Sequence, residues 1–170
     1  VEAQNIGPTI MSGRVVDLAV NTNNPTEFYA AYATGGLWHT NNNGTSFESV
    51  MDNAPTQNIG CVAVDWNSGL ILVGTGEVNS SRSSYAGIGV LKSTDKGKTW
   101  TTVNEGLGSR YISFLQAKGN ILYAGTYNGL YASDNYGKTW YYAGNGMSAS
   151  KADFLDFNAD TLVCLIDGMV

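Results

Sequence analysis

A carboxylate, a guanidinium and a phenol stand close together in one run, EVNSSRSSYAG at 77–87: Glu77, Arg82 and Tyr85. Such a set can protonate a glycosidic oxygen or clasp a polar ligand, and Glu77 is the candidate acid. A second set is positional. Arg14, Asn58, Arg110 and Lys151 follow one another at spacings of 44, 52 and 41. Three of these four are cationic in a chain of net charge −5, and a focused positive spot attracts a carboxylate or another anion. Other chemistries lack their parts. His39 is the single histidine, with no companion His, Cys or carboxylate cluster in the sequence, so no nucleophile–base–acid assembly can be built on it. Cys61 and Cys164 are too few for a disulfide framework or a closed zinc site. Each lies in an apolar run and reads as a buried thiol. The TDKG segment places Lys96 and Lys98 where a calcium loop needs carboxylates, and GTGEVN lacks the ending of a phosphate loop. No metal and no cofactor are expected.

The elements that must hold these side chains come from a repeat. TNNNGTSF at 40–47, STDKGKTW at 93–100 and SDNYGKTW at 133–140 share one pattern. Each has Ser or Thr, then Asp or Asn two residues on, Gly two later, then Thr or Ser and an aromatic. The recurring positions are Asn42, Gly44 and Phe47; Asp95, Gly97 and Trp100; Asn135, Gly137 and Trp140. The Asp or Asn side chain can accept backbone N–H groups of its own turn, and Gly tolerates the positive φ such a turn needs. The aromatic enters the next strand and fills space between neighbouring units. These nine residues are read as structural.

Four short runs rich in β-branched and aromatic residues surround each box and read as strands. In the first unit they are 14–20, 27–33, 36–41 and 46–52. In the second they are 59–64, 70–76, 88–94 and 99–105, and in the third 111–117, 121–127, 129–134 and 139–144. A fourth unit offers ADFLDF and TLVCLID and then stops at Val170. A period of 40–50 residues points to propeller blades or a similar array. The expected fold is all-β: a partial β-propeller of four-stranded antiparallel blades. A lead-in at 1–11 precedes blades at 12–54, 55–107 and 108–147 and an incomplete one at 148–170. The remaining blades are expected from missing sequence or another chain.

Composition agrees. Of 170 residues, 43 % are hydrophobic and only 14 % charged, against about 25 % charged in an average soluble protein. The acidic balance argues against a nucleic-acid backbone as partner. No apolar run approaches the roughly 20 residues of a membrane span.

The box S/T-x-D-x-G-x-T-W resembles the Asp-box, or BNR repeat, of sialidases, sortilin-like receptors, xyloglucan hydrolases and photosystem assembly propellers. STDKGKTW fits it completely; Asn135, and Asn42, Ser46 and Phe47, depart from it. The likeness covers 12–170, and GTGEVNSSRSSYAGIGVLKSTDKGKTW is most similar to extracellular VPS10/sortilin-like propellers. This resemblance implies first strands lining a central channel and ligand sites on the face opposite the box turns. Arg14, Asn58, Arg110 and Lys151 would then ring the channel mouth. Glu77, Arg82 and Tyr85 would stand on a long loop of the same face. The implied function is a secreted, periplasmic or cell-surface binding scaffold for a protein or glycan ligand. The alternative is a glycoside hydrolase of the endo-glucanase or xyloglucanase kind, which needs a carboxylate pair about 5–10 Å apart.

Overall fold

The computed structural model describes residues 14–76, 85–146, 150–158 and 161–166. The lead-in at 1–11, Glu77 and Arg82 lie outside the described residues. Every described element is a strand. The first blade holds β1 (Val15–Val20), β2 (Phe28–Tyr32), β3 (Gly36–Thr40) and β4 (Glu48–Ser49). The second holds β5 (Ile59–Asp65), β6 (Leu70–Thr75), β7 (Val90–Ser93) and β8 (Thr101–Thr102). The third holds β9 (Ile112–Lys118), β10 (Ile121–Thr126), β11 (Gly129–Ser133) and β12 (Tyr141–Tyr142). β13 (Ala152–Asn158) and β14 (Thr161–Ile166) pair on their own. Each of the three larger sheets is an antiparallel meander in chain order, so the fold is all-β, with three four-stranded blades and a two-stranded fourth.

The first strands of successive blades pack on one another, β1 on β5, β5 on β9 and β9 on β13. Asp17 ties the first pair. Its carboxylate accepts the Val62 N–H at 2.9 Å and the Leu18 N–H at 2.8 Å. Ser113 donates its hydroxyl to the Ala152 carbonyl across the β9–β13 contact. The core lies in the seams between blades. Tyr29, Leu37, Met51, Ile71 and Leu91 close the first seam, and Cys61, Leu72, Ile112, Tyr131 and Trp140 the second. A middle strand has a seam on each side, which is why β6, LILVGT, is buried along its whole length rather than alternating.

The fourth strands are much shorter than their sequence runs. β4, β8 and β12 pair over two residues each. Trp100 and Trp140 turn toward the preceding blade before the pairing begins, and short edge strands offer little template for foreign pairing. Cys61 is buried, and burial pushes its thiol well above the usual range. Cys164 is only half-buried.

All three box turns have the same wiring. Asn42, Asp95 and Asn135 accept the backbone N–H four residues on at 3.0, 2.9 and 3.0 Å. The hydroxyl that opens each box, on Thr40, Ser93 or Ser133, accepts the N–H of Gly44, Gly97 or Gly137. Those glycines have φ of 77°, 88° and 77°, where a Cβ is strained. The indoles reach back one blade. Trp100 Nε1–H donates to the Val50 carbonyl and Trp140 Nε1–H to that of Val103, both at 2.9 Å. Phe47 instead meets Phe28 of its own blade, edge to face at 5.9 Å.

Asp95 alone is ionisable among the three equivalent residues. Hydrogen bonds from the Thr99 hydroxyl, the Thr99 N–H and the Ser93 hydroxyl lower its pKa to about 2 from 3.8. A carboxyl depressed on folding adds stability above its unfolded pKa and loses it as pH falls through the folded value. Asp95→Asn is therefore expected to destabilise at about pH 6 and to converge on the wild type near pH 2. Urea midpoints taken across that range check it; a constant difference at every pH would contradict it.

Candidate functional site

The turn after the second strand of a meander lies at the opposite end from the turns after the first and third. The β6–β7 connection, the β10–β11 turn and the starts of β5, β9 and β13 therefore share the face away from the boxes. The β6–β7 connection leaves β6 at Gly76 on that face and is described again from Tyr85. Its base is pinched. Thr75 donates its hydroxyl to the Gly89 carbonyl at 2.6 Å and accepts the Ile88 N–H at 2.8 Å. A Cβ on Gly76 would come 2.8 Å from the Gly87 backbone. A Cβ on Gly87 would press on the carbonyl oxygens of Thr75 and Arg110. Glycine at both ends lets the chain leave and return at one point. Tyr85, at the described end of this run, is 54 % exposed.

Arg14, Asn58, Arg110 and Lys151 each stand immediately or nearly before a first strand. Their neighbourhood is not a bare cationic ring. Lys151 pairs with Asp153 at 2.5 Å and lies over the Tyr127 ring, 5.4 Å from its centroid. Arg110 donates from its guanidinium to the Asn104 carbonyl at 3.3 Å and holds the Gly89 N–H on its own carbonyl at 3.1 Å. The Asn58 carbonyl accepts Gly76 N–H at 3.2 Å, and that of Arg14 accepts Ala33 N–H at 2.9 Å. Arg14 and Arg110 are exposed, and Asn58 and Lys151 half-buried.

The structure adds residues that the spacing argument did not reach. Tyr111, next to Arg110, stacks on Tyr127 of the β10–β11 turn at 5.2 Å and 11°. Lys151 and Asp153 of the fourth blade flank that pair. The result is an aromatic step of an exposed Tyr111 on a half-buried Tyr127, beside an ion pair, between the third and fourth blades. Tyrosine at a first-strand start facing tyrosine in a second-to-third turn was the available signal. A phenol ring offers a flat apolar face and a polar tip.

Among the described residues, the first-strand carboxylates Asp17 and Asp65 are each held by their own turn or neighbouring backbone. Asp17 is bound to two backbone N–H groups as described above. Asp65 accepts the Asn67 N–H at 3.0 Å and the Ser68 hydroxyl at 2.5 Å, which hold its carboxyl below its ordinary range. One acidic cluster does form, around His39, against the expectation of no companions. Glu48 meets Nδ1 at 2.8 Å and Glu27 meets Nε2 at 3.2 Å. Glu48 lies directly across the β3–β4 pair from His39, so pairing register creates the contact. The two carboxylates are spent on the ring, which also stacks on Tyr29 at 4.6 Å. No group of His, Cys, Asp and Glu suited to a metal ion occurs among the described residues. No described helix is long and apolar enough to cross a membrane.

No protein-family profile matches the chain, and no curated protein matches it. Solved structures do resemble it. The GH74 xyloglucanase from Xanthomonas campestris matches at 18 % identity with a TM-score of 0.65, over 86 % of this chain and 26 % of that one. YCF48 bound to D1 peptide matches at 14 % identity and TM-score 0.65, over 92 % and 49 %. The extracellular domain of BT4673 from B. thetaiotaomicron matches at 14 % identity and TM-score 0.68, over 92 % and 20 %. The chain thus spans half or less of the length of these three structures. At such identities the likeness is one of fold: this is a β-sheet architecture shared with carbohydrate-active and extracellular proteins.

Proposed function

We propose that the chain is an Asp-box propeller unit of a xyloglucanase-like, carbohydrate-active protein. It binds a β-glucan across the face opposite the box turns and works outside the cytoplasm. The observation that carries this reading is the Tyr111–Tyr127 step, with Tyr111 exposed, beside Lys151 and Asp153. A pyranose ring has an apolar face that lies flat on such a ring, while its hydroxyls need charged partners like Lys151 and Asp153 alongside. The similarity to a GH74 xyloglucanase supports a glucan over other ligands. Glu77 and Arg82, with Tyr85 and Arg14, are the further ligand contacts of this reading.

Hydrolysis needs a second carboxylate paired with Glu77. Asp17 and Asp65 are engaged structurally, which leaves Asp156 on β13 or a residue of further blades as the partner acid. Leu18 and Val20 on β1, and Phe154 and Val163 on the fourth blade, are exposed apolar side chains. Such faces suit the covering blades of a larger ring.

Calorimetric titration with xyloglucan oligosaccharides tests the reading. Tyr111→Ala with Tyr127→Ala is expected to weaken binding about tenfold or more, the usual cost of losing aromatic anchors. Release of reducing ends that disappears in Glu77→Gln would add hydrolysis. A second reading, a peptide-binding scaffold, is favoured by the likeness to YCF48 bound to D1 peptide. It predicts no glucan affinity and saturable binding of peptide on the same face.

A further inference from the structure

The two seams between the four-stranded blades are filled differently at the box-turn face. In the first, the β5–β6 hairpin sends Trp66 onto Tyr29, with ring centroids 5.4 Å apart, and Tyr29 stacks on His39. Tyr29 and His39 are a cross-strand pair, and the equivalent pair in the second blade is Leu72 and Lys92. The β9–β10 hairpin carries no tryptophan. Its tip is Gly119 and Asn120, and a Cβ on Gly119 would meet nothing within 4 Å. Where one seam holds an aromatic stack, the next holds a cleft of about 400 Å³, with Asn67 and Asn120 at its rim. It continues into a second hollow of about 280 Å³ lined by Lys92 and Lys138. Asp65, Leu70 and Tyr136 line both.

Three features of this cleft point to a ligand. Tyr136 is 57 % exposed and has φ of 59°. The same place in the first box is Asn43, at φ 57°. Lys96 holds it in the second box at φ 59°, so the box turn imposes this conformation whichever side chain stands there, and in the third box it presents a tyrosine ring to the cleft. Lys92 reaches across the seam and donates to the Tyr136 carbonyl at 2.8 Å. That fixes the ammonium and leaves its other N–H groups for a ligand. Burial, and then the charge of Lys138, lower the Lys92 pKa. Among the described residues neither lysine has a carboxylate within ion-pair distance. Asp65 is ionised, and two of its acceptor sites are filled by Asn67 and Ser68.

We propose that this cleft binds an acidic sugar, a hexuronate residue of a polysaccharide. Its ring takes the place that Trp66 fills in the neighbouring seam and lies against Tyr136. Its carboxylate sits between Lys92 and Lys138, and its hydroxyls bond to Asn67, Asn120 and the free lone pairs of Asp65. The site is separate from the proposed glucan face, at the other end of the blades, and takes a charged sugar where that face takes a neutral one.

Calorimetric titration of the whole chain with trigalacturonate tests this, with cellotriose and acetate as comparisons. Lys138→Thr and Tyr136→Asn each install the residue that the first box already carries at that place, so the turn wiring is kept. Saturable binding of trigalacturonate is expected, weakened about tenfold in each variant and reduced by added salt. Cellotriose and acetate should each bind at least about tenfold more weakly. Absence of saturable binding, equal affinity for cellotriose, or wild-type affinity in both variants would overturn the proposal. Acetate binding as tightly as the trisaccharide would reduce the site to an ion trap and overturn it equally. Thermal midpoints accompany each variant; if Tyr136→Asn fails to fold, Lys138→Thr decides alone.

Discussion

Trp140→Ala is expected to destabilise the protein by about 3–5 kcal/mol, the range for truncating a buried aromatic. Trp140 is 4 % exposed and sits in the seam cluster with Cys61, Leu72, Ile112 and Tyr131. Its removal opens a ring-sized void between two blades that each have a fixed backbone ladder, so collapse is limited. It also strips the Val103 carbonyl of its indole donor. Trp140→Phe separates the two terms, since it keeps most of the volume and loses the hydrogen bond, worth about 1 kcal/mol. Trp100 has the same place in the preceding seam but is half-buried, and its N–H is shared between Val50 and Gly97. Its truncation should cost less. Urea unfolding gives the order; a wild-type midpoint for Trp140→Ala would contradict the seam as the main source of stability.

Gly106→Ala is expected to cost about 2–5 kcal/mol, from positive-φ strain and overpacking together. Gly106 has φ of 86°, and a Cβ there would press into the Trp140 carbonyl oxygen. The neighbouring contacts are all backbone. Glu105 bridges Thr139, and the Trp140 N–H donates to the Glu105 carbonyl at 2.8 Å. A main-chain obstacle cannot rotate aside, so the link between the second blade and the third box must shift as a unit. Gly119→Ala is the control. It has φ of 57° but open space around the site, and should show only the strain, about 1–2 kcal/mol. Gly106 and Trp140 share one seam, so their combined variant should lose less than the sum. Additive losses would mean that the two act on separate parts of the structure.

The architecture was legible in the sequence because one local rule repeats. A box that needs Gly44, Gly97 or Gly137 at positive φ, with Asn or Asp two residues earlier, specifies its turn without reference to the rest of the chain. The spacing of three such boxes then fixes the strand order. The fourth strands were overestimated because their apolar residues serve the seams rather than a longer ladder. Trp100 and Trp140 read as strand residues but point out of the pairing.

The proposed binding surfaces were less legible because they arise between blades. Arg14, Asn58, Arg110 and Lys151 recur with the repeat, yet spacing could not show that Asp153 pairs with Lys151 or that Tyr111 lies on Tyr127. The carboxylates around His39 are 12 and 9 residues away in sequence and meet only through the sheet register. The cleft beside Tyr136 exists because the third-blade hairpin lacks a counterpart of Trp66, a difference that appears only when two seams are superposed residue by residue.

The most direct test of the proposed function is a map of amide shifts in the labelled chain as a xyloglucan heptasaccharide is added. Saturable shifts centred on Arg110, Tyr111, Tyr127 and Asp153, with the amides of Gly44, Gly97 and Gly137 unmoved, are the predicted result. Shifts confined to the box-turn face, or none at saturating sugar, would contradict a glucan site on the opposite face.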